Sequence, residues 1–454
     1  MRLPVASYDQ PGRNATRLVN VYPQASSGKG PVELIGSPGI VPFASLGAGP
    51  GRGMFVMRGI LYAVSGTKLY KVDEFGSEIE LGTIPGSVKC TFAGNGVEIV
   101  IGPSKHIFSN GAVTAITDPD LPAIIGVAET DGFVVYTESG SGKWGASLLY
   151  DGASYDGLDY ASAEAYPDDL VCPPVVDHRQ VLLFGQESLQ IYWNSGHDGF
   201  PFEALAGSFI EYGCLAQLGT AKQDNSVFWI ANDRTIRRLA GQTPMRVSHH
   251  GMEEKLSNYG RLDDCQAFAW NWNGHLFVAF RFPSEGAAWI YDVTTSEWHE
   301  RDTYGQPAWD VIDAVQCYGK TFMQSASTGA IGSLSDGTHT DFGGILRRYV
   351  TYPIIYDAQK RVYHSQLDIV MRTGDAEAGV TPYVNLDYSD DGGSTFTQLP
   401  GRQLVPRGTT GEYSQVVRFT RLGMARDRVY RVWSSDAAPF IITDTVLQAA
   451  SGAP

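Results

Sequence analysis

The sequence is poor in charge, and most of the charge it carries is negative. Charged residues make up 18% of the 454 residues, and the formal net charge is −15. Affinity for nucleic acid comes largely from Lys and Arg side chains that release counterions from phosphates. The composition therefore argues against a surface that grips DNA, and we expect any contact with DNA to be by enclosure or repulsion.

Cysteine pairs and long apolar segments are also missing. The five cysteines are widely spaced with no CxxC pair, which predicts free, mostly buried thiols in a protein that folds in a reducing cytosol. There is no apolar stretch near the N-terminus and no run of 18 apolar residues. We therefore expect neither secretion nor a membrane span, and the sequon at Asn14 is interpreted as accidental.

Helical patterns are rare. One short stretch, residues 251–260, places Met252, Leu256 and Tyr259 at helical spacing, with Ser248 as a candidate N-cap. Glycine and proline are abundant instead, with 52 and 24 copies. Such a balance is typical of many short strands joined by tight turns.

A strand-turn-strand module recurs from about residue 59 to residue 337. Its copies read GILYAVSGTKLYKVD, NGVEIVIGPSKHIFSNG, DGFVVYTESGSGKW, HRQVLLFGQESLQIYW, NSVFWIANDRTIRRLAG, NGHLFVAFRFPSEGAAWIYD and YGKTFMQSASTGAIGSLSDG. Equivalent turn positions are Gly59, Gly96, Gly132, Arg179, Ser226, Gly274 and Gly319, spaced 36 to 48 residues apart. Small twisted sheets of this kind bury their faces by stacking around a ring, so the pattern predicts a β-propeller.

The number of modules predicts seven blades. The first two spacings are short, so these units are either small blades or halves of one blade, and six is the alternative count. An ordinary β-sandwich or barrel with regular hairpins is the other interpretation of the repeats.

We divide the chain into three parts. Residues 1–50 are a Pro/Gly-rich N-terminal lead, whose extended segments complete a blade or lie across a neighbouring subunit; residues 51–345 form the propeller. Residues 346–454 contain longer strands such as DRVYRVWSS, in which Val429, Arg431 and Trp433 face one side while Tyr430 and Val432 face the other. This alternation predicts an antiparallel β-sandwich of jelly-roll type, so the whole chain is expected to be all-β.

One motif resembles an Asp box. Residues 389–396, SDDGGSTF, fit the pattern through Ser389, Asp391, Gly393, Thr395 and Phe396. In such a hairpin turn the carboxylate bonds backbone amides and the glycine takes positive φ. In sialidase-like propellers these boxes are structural, so we interpret this copy as a structural turn.

Other motifs do not predict a chemical site. GSGK at residues 140–143 lacks the first glycine of a phosphate loop and has Trp144 where Ser or Thr binds magnesium, and GAGPGRG at residues 47–53 lacks the spacing of a dinucleotide fingerprint. His249 and His250, followed by Glu253 and Glu254, have the residue types of a metal site, but adjacent residues of an extended segment point to opposite sides. We therefore expect no catalytic, cofactor or metal residues.

Several segments together resemble the packaged-DNA stabilization proteins of short-tailed, P22-like bacteriophages. They are RNATRLVNVYPQ from Arg13, LIGSPGIVPF from Leu34, GRGMFVMRGILYAVSGTKLYKVD from Gly51, FWIANDRTIRRLAG from Phe228, VSHHGMEEKL from Val247 and RVYRVWSSDAAPF from Arg428. The resemblance runs in the same order through almost the whole chain.

The resemblance implies a structural tail-hub or head-completion protein of the virion, present in the host cytoplasm before assembly, and not an enzyme. It implies a homohexameric ring below the portal and its adaptor that helps to retain packaged DNA. A tail needle and tailspikes are the implied partners on the distal side. It implies no cofactor, and the residues that bind these partners are unknown.

Two rival interpretations stay open. The first is a carbohydrate-active propeller, either a sialidase-like hydrolase or a glycan-binding module, in which Trp193, Trp229, Trp289 and Trp298 stack on sugars. Against it stand the single Asp box and the position of Trp229 within a strand. The second is a cytoplasmic scaffold of kelch type, because WIYDVTTSEWHER at residues 289–301 is similar to a kelch blade, but this match occurs once.

Overall fold

The computed structural model describes residues 16–25, 32–47, 49–162, 168–197, 199–372, 382–403 and 414–452. Its first four strands are β1 (Arg17–Val19), β2 (Val21–Ala25), β3 (Val32–Gly36) and β4 (Gly39–Ala44). Of these, β1, β3 and β4 pair with much later parts of the chain, as described below, and β2 pairs with β3.

Five four-stranded sheets follow in chain order, and the sixth blade is the first four strands of a larger sheet. Blade 1 contains β5 (Gly51–Met57), β6 (Ile60–Ser65), β7 (Lys68–Val72) and β8 (Glu78–Thr83). Blade 2 contains β9 (Thr91–Gly94), β10 (Ile99–Gly102), β11 (His106–Ser109) and β12 (Ala112–Ala115). Blade 3 contains β13 (Ile124–Thr130), β14 (Phe133–Glu138), β15 (Lys143–Leu148) and β16 (Asp151–Ser162). Blade 4 contains β17 (Val175–Asp177), β18 (Gln180–Phe184), β19 (Leu189–Asn194) and β20 (Phe202–Ala204).

Blade 5 contains β21 (Thr220–Gln223), β22 (Ser226–Ile230), β23 (Ile236–Ala240) and β24 (Thr243–Arg246), and the helix α1 (His250–Asn258) follows it. Blade 6 contains β25 (Gln266–Trp272), β26 (His275–Phe282), β27 (Ala287–Asp292) and β28 (Glu297–Glu300). Blade 7 has β29 (Val311–Cys317), β30 (Lys320–Ser325) and β31 (Ile331–Ser335) from its own stretch of chain, and its fourth strand is β4.

The propeller therefore has seven blades, as the turn positions predict. The first two units are complete four-stranded blades and not halves of one. Blade 2 fits a short stretch of chain because each of its strands has four residues. Six of the seven turns between the first and second strands have both central residues at positive φ, such as Asn273 (47°) and Gly274 (83°). Turns of this kind match the right-handed twist of a hairpin. At blade 5 the turn is Asp224 and Asn225, and the predicted position Ser226 is the first residue of β22.

The ring is closed by the N-terminal strand β4. It pairs antiparallel with β31, with Ile40 opposite Leu334 and Val41 opposite Ser333. Separate apolar clusters fill the spaces between successive blades. The cluster between blades 7 and 1 includes Phe322 and Leu61, both fully buried. The ring is thus held by packing between all neighbouring blades and by one strand from a distant part of the sequence.

The last part of the chain forms β32 (Thr340–Asp341), β33 (Gly344–Ile345), β34 (Arg348–Thr351), β35 (Ile355–Tyr356), β36 (Val362–Arg372), β37 (Tyr383–Ser389), β38 (Thr397–Gln398), β39 (Arg402–Gln403), β40 (Ser414–Ala425), β41 (Asp427–Ser434) and β42 (Ile441–Ser451). One sheet has the order β2-β3-β42-β36-β40. The other continues blade 6 in the order β28-β1-β34-β41-β37-β38.

These two sheets enclose a shared apolar core to which both ends of the chain contribute. Leu18 and Leu34 pack there with Leu367, Tyr430 and Val432. The alternation predicted for DRVYRVWSS is present, because Tyr430 and Val432 face this core while Arg431 and Trp433 contact Asp387 outside it. The jelly-roll connectivity stays a prediction. Since β1 pairs with β28 on one side and with β34 on the other, the propeller and the C-terminal sheets share one continuous hydrogen-bonded sheet.

Candidate functional site

A channel runs through the centre of the propeller. Its main cavity has a volume of about 570 Å³ and is lined by residues from all seven blades. The polar groups at its wall are Lys89, Glu129, Gln217, Lys222 and Asp313. Channels of this kind often bind ligands. Whether this one could do so depends on whether its polar groups are free or already bonded within the chain.

The charged groups of the channel wall are occupied by partners within the chain. The ammonium group of Lys89 donates to the carbonyl of Ile312 at 2.9 Å and to Asp313 Oδ1 at 3.2 Å. Lys222 donates to the carbonyl of Val176 and pairs with Asp177. These contacts hold inner strands together and do not form a set of converging acids.

The Asp-box residues form one compact turn between β37 and β38. Asp391 accepts hydrogen bonds from Ser389 Oγ at 2.6 Å, from Thr395 Oγ1 at 2.6 Å and from the backbone N–H of Thr395. These bonds hold the pKa of the Asp391 carboxyl well below its usual range. Gly393 takes φ +90° and its N–H donates to Ser389 Oγ at 2.8 Å. All of these bonds run within the turn, so they tie its residues to one another.

The fifth residue of the motif, Phe396, belongs to a layer of aromatic and arginine side chains. The guanidinium carbon of Arg431 lies 3.9 Å from the Phe396 ring centroid, and Arg431 also pairs with Asp387 at 2.6 Å. Asp387 accepts a further hydrogen bond from Trp433 Nε1 at 3.0 Å. With Tyr349 and Arg347 these groups surround a cavity of about 370 Å³ beside blade 6. The layer fixes the turn onto the outer face of the continuous sheet.

A buried group of charged residues lies where blades 6 and 7 meet the C-terminal sheets. Arg348 donates to the carbonyls of Ser37 and Ala438, and burial followed by repulsion from Arg301 lowers its pKa to about 9. Burial also lowers the pKa of Arg301 and raises the pKa of Asp341. Burying charged groups costs free energy unless partners lie close to them. These residues therefore favour the one arrangement of the propeller and the C-terminal sheets in which their partners are in reach.

The histidine pair lies at the start of α1. His249 is the N-cap of α1, where its Nδ1 accepts a hydrogen bond from the backbone N–H of Met252. The prediction of Ser248 as the N-cap is therefore wrong. Ser248 instead donates to Glu253 at 2.6 Å and accepts from Ile236, because it sits one residue before the cap. In the described parts of the chain no three His, Cys, Asp or Glu side chains come together to hold a metal ion.

The two glycine-rich segments are structural. Gly140 lies in the turn before β15, and Lys143 places its ammonium 5.0 Å from the Tyr160 ring. In the other segment Arg52 is 1% exposed and its guanidinium donates to the carbonyls of Gly66, Ile84, Pro85 and Val88. This anchoring role of Arg52 was not predicted, and no local pattern marks it, because its acceptors are backbone atoms of distant residues.

The tryptophans offered for sugar stacking are mostly core residues. Trp229, Trp289 and Trp298 are at most 2% exposed, whereas Trp193 is 41% exposed. The five cysteines are free and buried, as predicted. Within the described ranges no helix is long and apolar enough to cross a membrane.

Taken together, a closed seven-bladed ring and a sheet continuous with blade 6 define an all-β protein built on a β-propeller. The family model described as "Bacteriophage P22 Gp10, beta-propeller" matches residues 14–339, and the chain belongs to this family. The family is one of phage structural proteins, so this chain is a virion protein.

Other comparisons concern the fold. A computationally designed protein, Ika8, is 12% identical over 65% of this chain and 99% of its own, with a TM-score of 0.37. A catalytically inactive virginiamycin B lyase from Staphylococcus aureus is 12% identical over 64% and 97%, with a TM-score of 0.43. The β-propeller domain of Cps50 (Swd1) from Myceliophteria thermophila is 10% identical over 65% and 99%, with a TM-score of 0.42. Curated proteins give no significant match.

Proposed function

We propose that this protein is the tail-hub component of a short-tailed phage. Six copies form a ring below the portal and its adaptor, close the exit channel, and connect to the tail needle and tailspikes. The single observation that carries the proposal is the family match over residues 14–339. The protein acts as a structural part and not as a catalyst.

The architecture supports a load-bearing role. Packaged DNA exerts pressure on any ring below the portal, and a subunit that resists it must not bend between its parts. Here blade 6 continues through β1 into the sheet that contains β34 and β41. To separate the C-terminal sheets from blade 6, the hydrogen bonds of at least one pairing on that path, β28–β1 or β1–β34, would have to break.

The charge supports passage of DNA without adhesion. With a net charge of −15, the protein repels phosphate and gains no counterion-release affinity for it. DNA can then slide through the ring during ejection. A strongly basic channel in the assembled ring would contradict this part of the proposal.

Negative-stain imaging of the purified protein, alone and mixed with portal complexes, tests the proposal. We expect six-fold rings that bind the portal complex below its adaptor. Persistent monomers that never bind portal complexes, together with selective binding on a glycan array or glycosidase turnover, would instead favour the carbohydrate-active alternative.

A further inference from the structure

Two long strands of this protein lie at the edges of their sheets. β16 is the outer strand of blade 3 and β40 is the last strand of the five-stranded sheet, and each contains 12 residues. Among the described strands β16 pairs only with β15, and β40 pairs only with β36. In the first part of β16 the backbone N–H groups of Gly152 and Tyr155 donate to Glu98 and Asp118, so the edge considered below is residues 156–161. The other uncovered outer strands of blades have at most six residues, and those of blades 6 and 7 are covered by β1 and β32. Soluble proteins usually keep such edges short, because an open edge invites pairing with another chain.

The β16 edge carries exposed apolar side chains among unpaired acids. Leu158 is 83% exposed at a bulge of the strand, and Tyr150 and Tyr160 are 64% and 46% exposed. β16 itself contains three acidic side chains, Asp151, Asp156 and Asp159, and no basic one. None of the three forms a salt bridge with a described residue.

The β40 edge has the opposite charge. Arg421 and Arg426 are exposed at its end, next to Lys360 and Arg361 at the start of the adjacent strand β36. None of these four basic side chains has a salt bridge with another described residue. Exposed Tyr363 and Met424 pair across the two strands. This edge therefore combines apolar and basic groups, as the β16 edge combines apolar and acidic ones.

The two edges belong to different parts of the molecule. The C-terminal sheets join the propeller at blades 6 and 7, and blade 3 is three blades away from each of them around the ring. Within the five-stranded sheet β2 is next to the propeller, where Tyr22 contacts His275 and Phe277, and β40 is four strands further out. At the usual strand spacing β40 is about 19 Å from β2.

We propose that the occupant of each edge is a second copy of this chain, with the β16 edge of one subunit against the β40 edge of the next. The contact joins an acidic apolar surface to a basic apolar one, so it is heterologous. Repeated around an axis, such a contact generates a ring when the rotation between neighbouring subunits closes. The ring itself belongs to the function proposed above, on which this inference rests. The assignment of these two edges is additional to it.

Charge reversal on each edge tests the contact. One variant carries Asp156→Lys and Asp159→Lys, and the other carries Arg421→Glu and Arg426→Glu. We expect wild-type chain to self-associate in sedimentation velocity, more weakly as salt rises, and each variant to associate at least tenfold more weakly. A chain with all four substitutions, and an equimolar mixture of the two variants, regain association because the reversed edges again have opposite charge. Circular dichroism confirms that each variant is folded.

A matched control has the same change of charge elsewhere. Glu211→Lys with Glu254→Lys alters two exposed acids that form no salt bridge with described residues and lie off both edges. We expect this control to associate like wild type. If it weakens association as much as the blade 3 variant, net charge explains the result and the edge assignment is wrong. A wild-type chain that is monomeric at every concentration also overturns the inference.

Cross-linking fixes the direction of the contact. A chain with both Leu158→Cys and Met424→Cys should form a ladder of disulfide-linked oligomers, because the native cysteines are buried. Chains with either cysteine alone should not. A dimer from a single-cysteine chain would indicate a symmetric contact and overturn the head-to-tail arrangement. Rings seen on portal complexes but insensitive to these variants would leave the proposed function intact and remove only this inference.

Discussion

The side-chain carbonyl of Gln324 in blade 7 accepts a hydrogen bond at 2.8 Å from the backbone N–H of Gly53 in blade 1. Its amide group donates to the carbonyl of Val64 at 2.9 Å. Gln324 is fully buried, so both bonds are made where water cannot replace them. This one side chain therefore connects the two blades between which the ring closes.

Replacing Gln324 should loosen the closure. Gln324→Ala leaves a buried N–H and a buried carbonyl without partners, and we expect a loss of about 2–4 kcal/mol of unfolding free energy in urea titration. Gln316→Ala, at an exposed position in the same blade, is the control and should change stability by less than about 0.5 kcal/mol. Equal effects of the two substitutions would show that Gln324 is not a closing contact.

Acid should destabilise the fold through His299. Burial, with repulsion from Arg301, lowers the pKa of His299 from 6.5 to about 3. Below pH 6.5 His299 therefore binds a proton in the unfolded chain but not in the folded one. As a result, the unfolding free energy falls by about 1.4 kcal/mol for each pH unit between pH 6.5 and the lowered pKa. His299→Gln should reduce this slope in urea titrations between pH 6.5 and 5. His197→Gln, on a side chain 68% exposed, should retain it, and an unchanged slope in His299→Gln would contradict the prediction.

The entry into β4 tolerates only glycine. A Cβ on Gly39 would lie 2.2 Å from the carbonyl oxygen of Thr338, which is backbone and cannot move away alone. Gly39→Ala should cost about 1–3 kcal/mol in thermal or urea unfolding. Gly337→Ala has only Ser335 Oγ at 3.7 Å, so it is the matched control and should be nearly neutral. A stable Gly39→Ala protein would mean that β4 does not approach blade 7 this closely.

The Asp-box turn should loosen when its carboxylate is removed or protonated. Because the folded pKa of Asp391 lies below its unfolded value, its contribution is present above pH 4 and decreases as the pH falls through the folded pKa. In Asp391→Ala we expect faster amide hydrogen exchange at Ser394 and Thr395, whose N–H groups it binds. Asp357→Ala, elsewhere in the C-terminal sheets, should leave those amides protected.

The thiols should be unreactive in the folded protein. Burial raises the pKa of Cys90 to about 11 and also raises the pKa of Cys172 and Cys265. A thiol reagent such as DTNB should label almost none of the five cysteines in native protein within minutes and all five in denaturant. Rapid labelling of even one native cysteine would contradict the burial on which the cross-linking design depends.

Local patterns predicted the repeating part of this fold well. Each blade turn is a short-range event, so glycine and asparagine at positions such as Gly132 and Gly274 mark it in the sequence. The short helix was predicted within two residues at each end, although its cap is His249 and not Ser248. In contrast, the pairing of Ile40 with Leu334 and of Val19 with Glu300 links residues hundreds of positions apart. Local sequence periodicity does not indicate such distant pairs. For this reason the sequence did not decide whether the first strands complete a blade or lie across a neighbouring subunit.

Only those parts of the candidate site that are formed by residues close together in the sequence could be predicted. The Asp box lies within eight residues and its bonds could be anticipated from their types. The aromatic and arginine layer around Asp387, and the anchoring of Arg52, depend on contacts between distant strands. For the same reason the opposite charges of β16 and β40 become meaningful only when the strand order shows that both strands lie at sheet edges.

The borrowed fourth strand of blade 7 has a consequence for synthesis. The ribosome delivers β4 among the first 50 residues, but its neighbour β31 emerges almost 300 residues later. During that interval Ile40 and Val41 lack their partners in β31, and the propeller ring stays open. Closure of the ring is therefore among the last steps of folding. A truncated chain that lacks β31 cannot form the closed propeller of the full subunit.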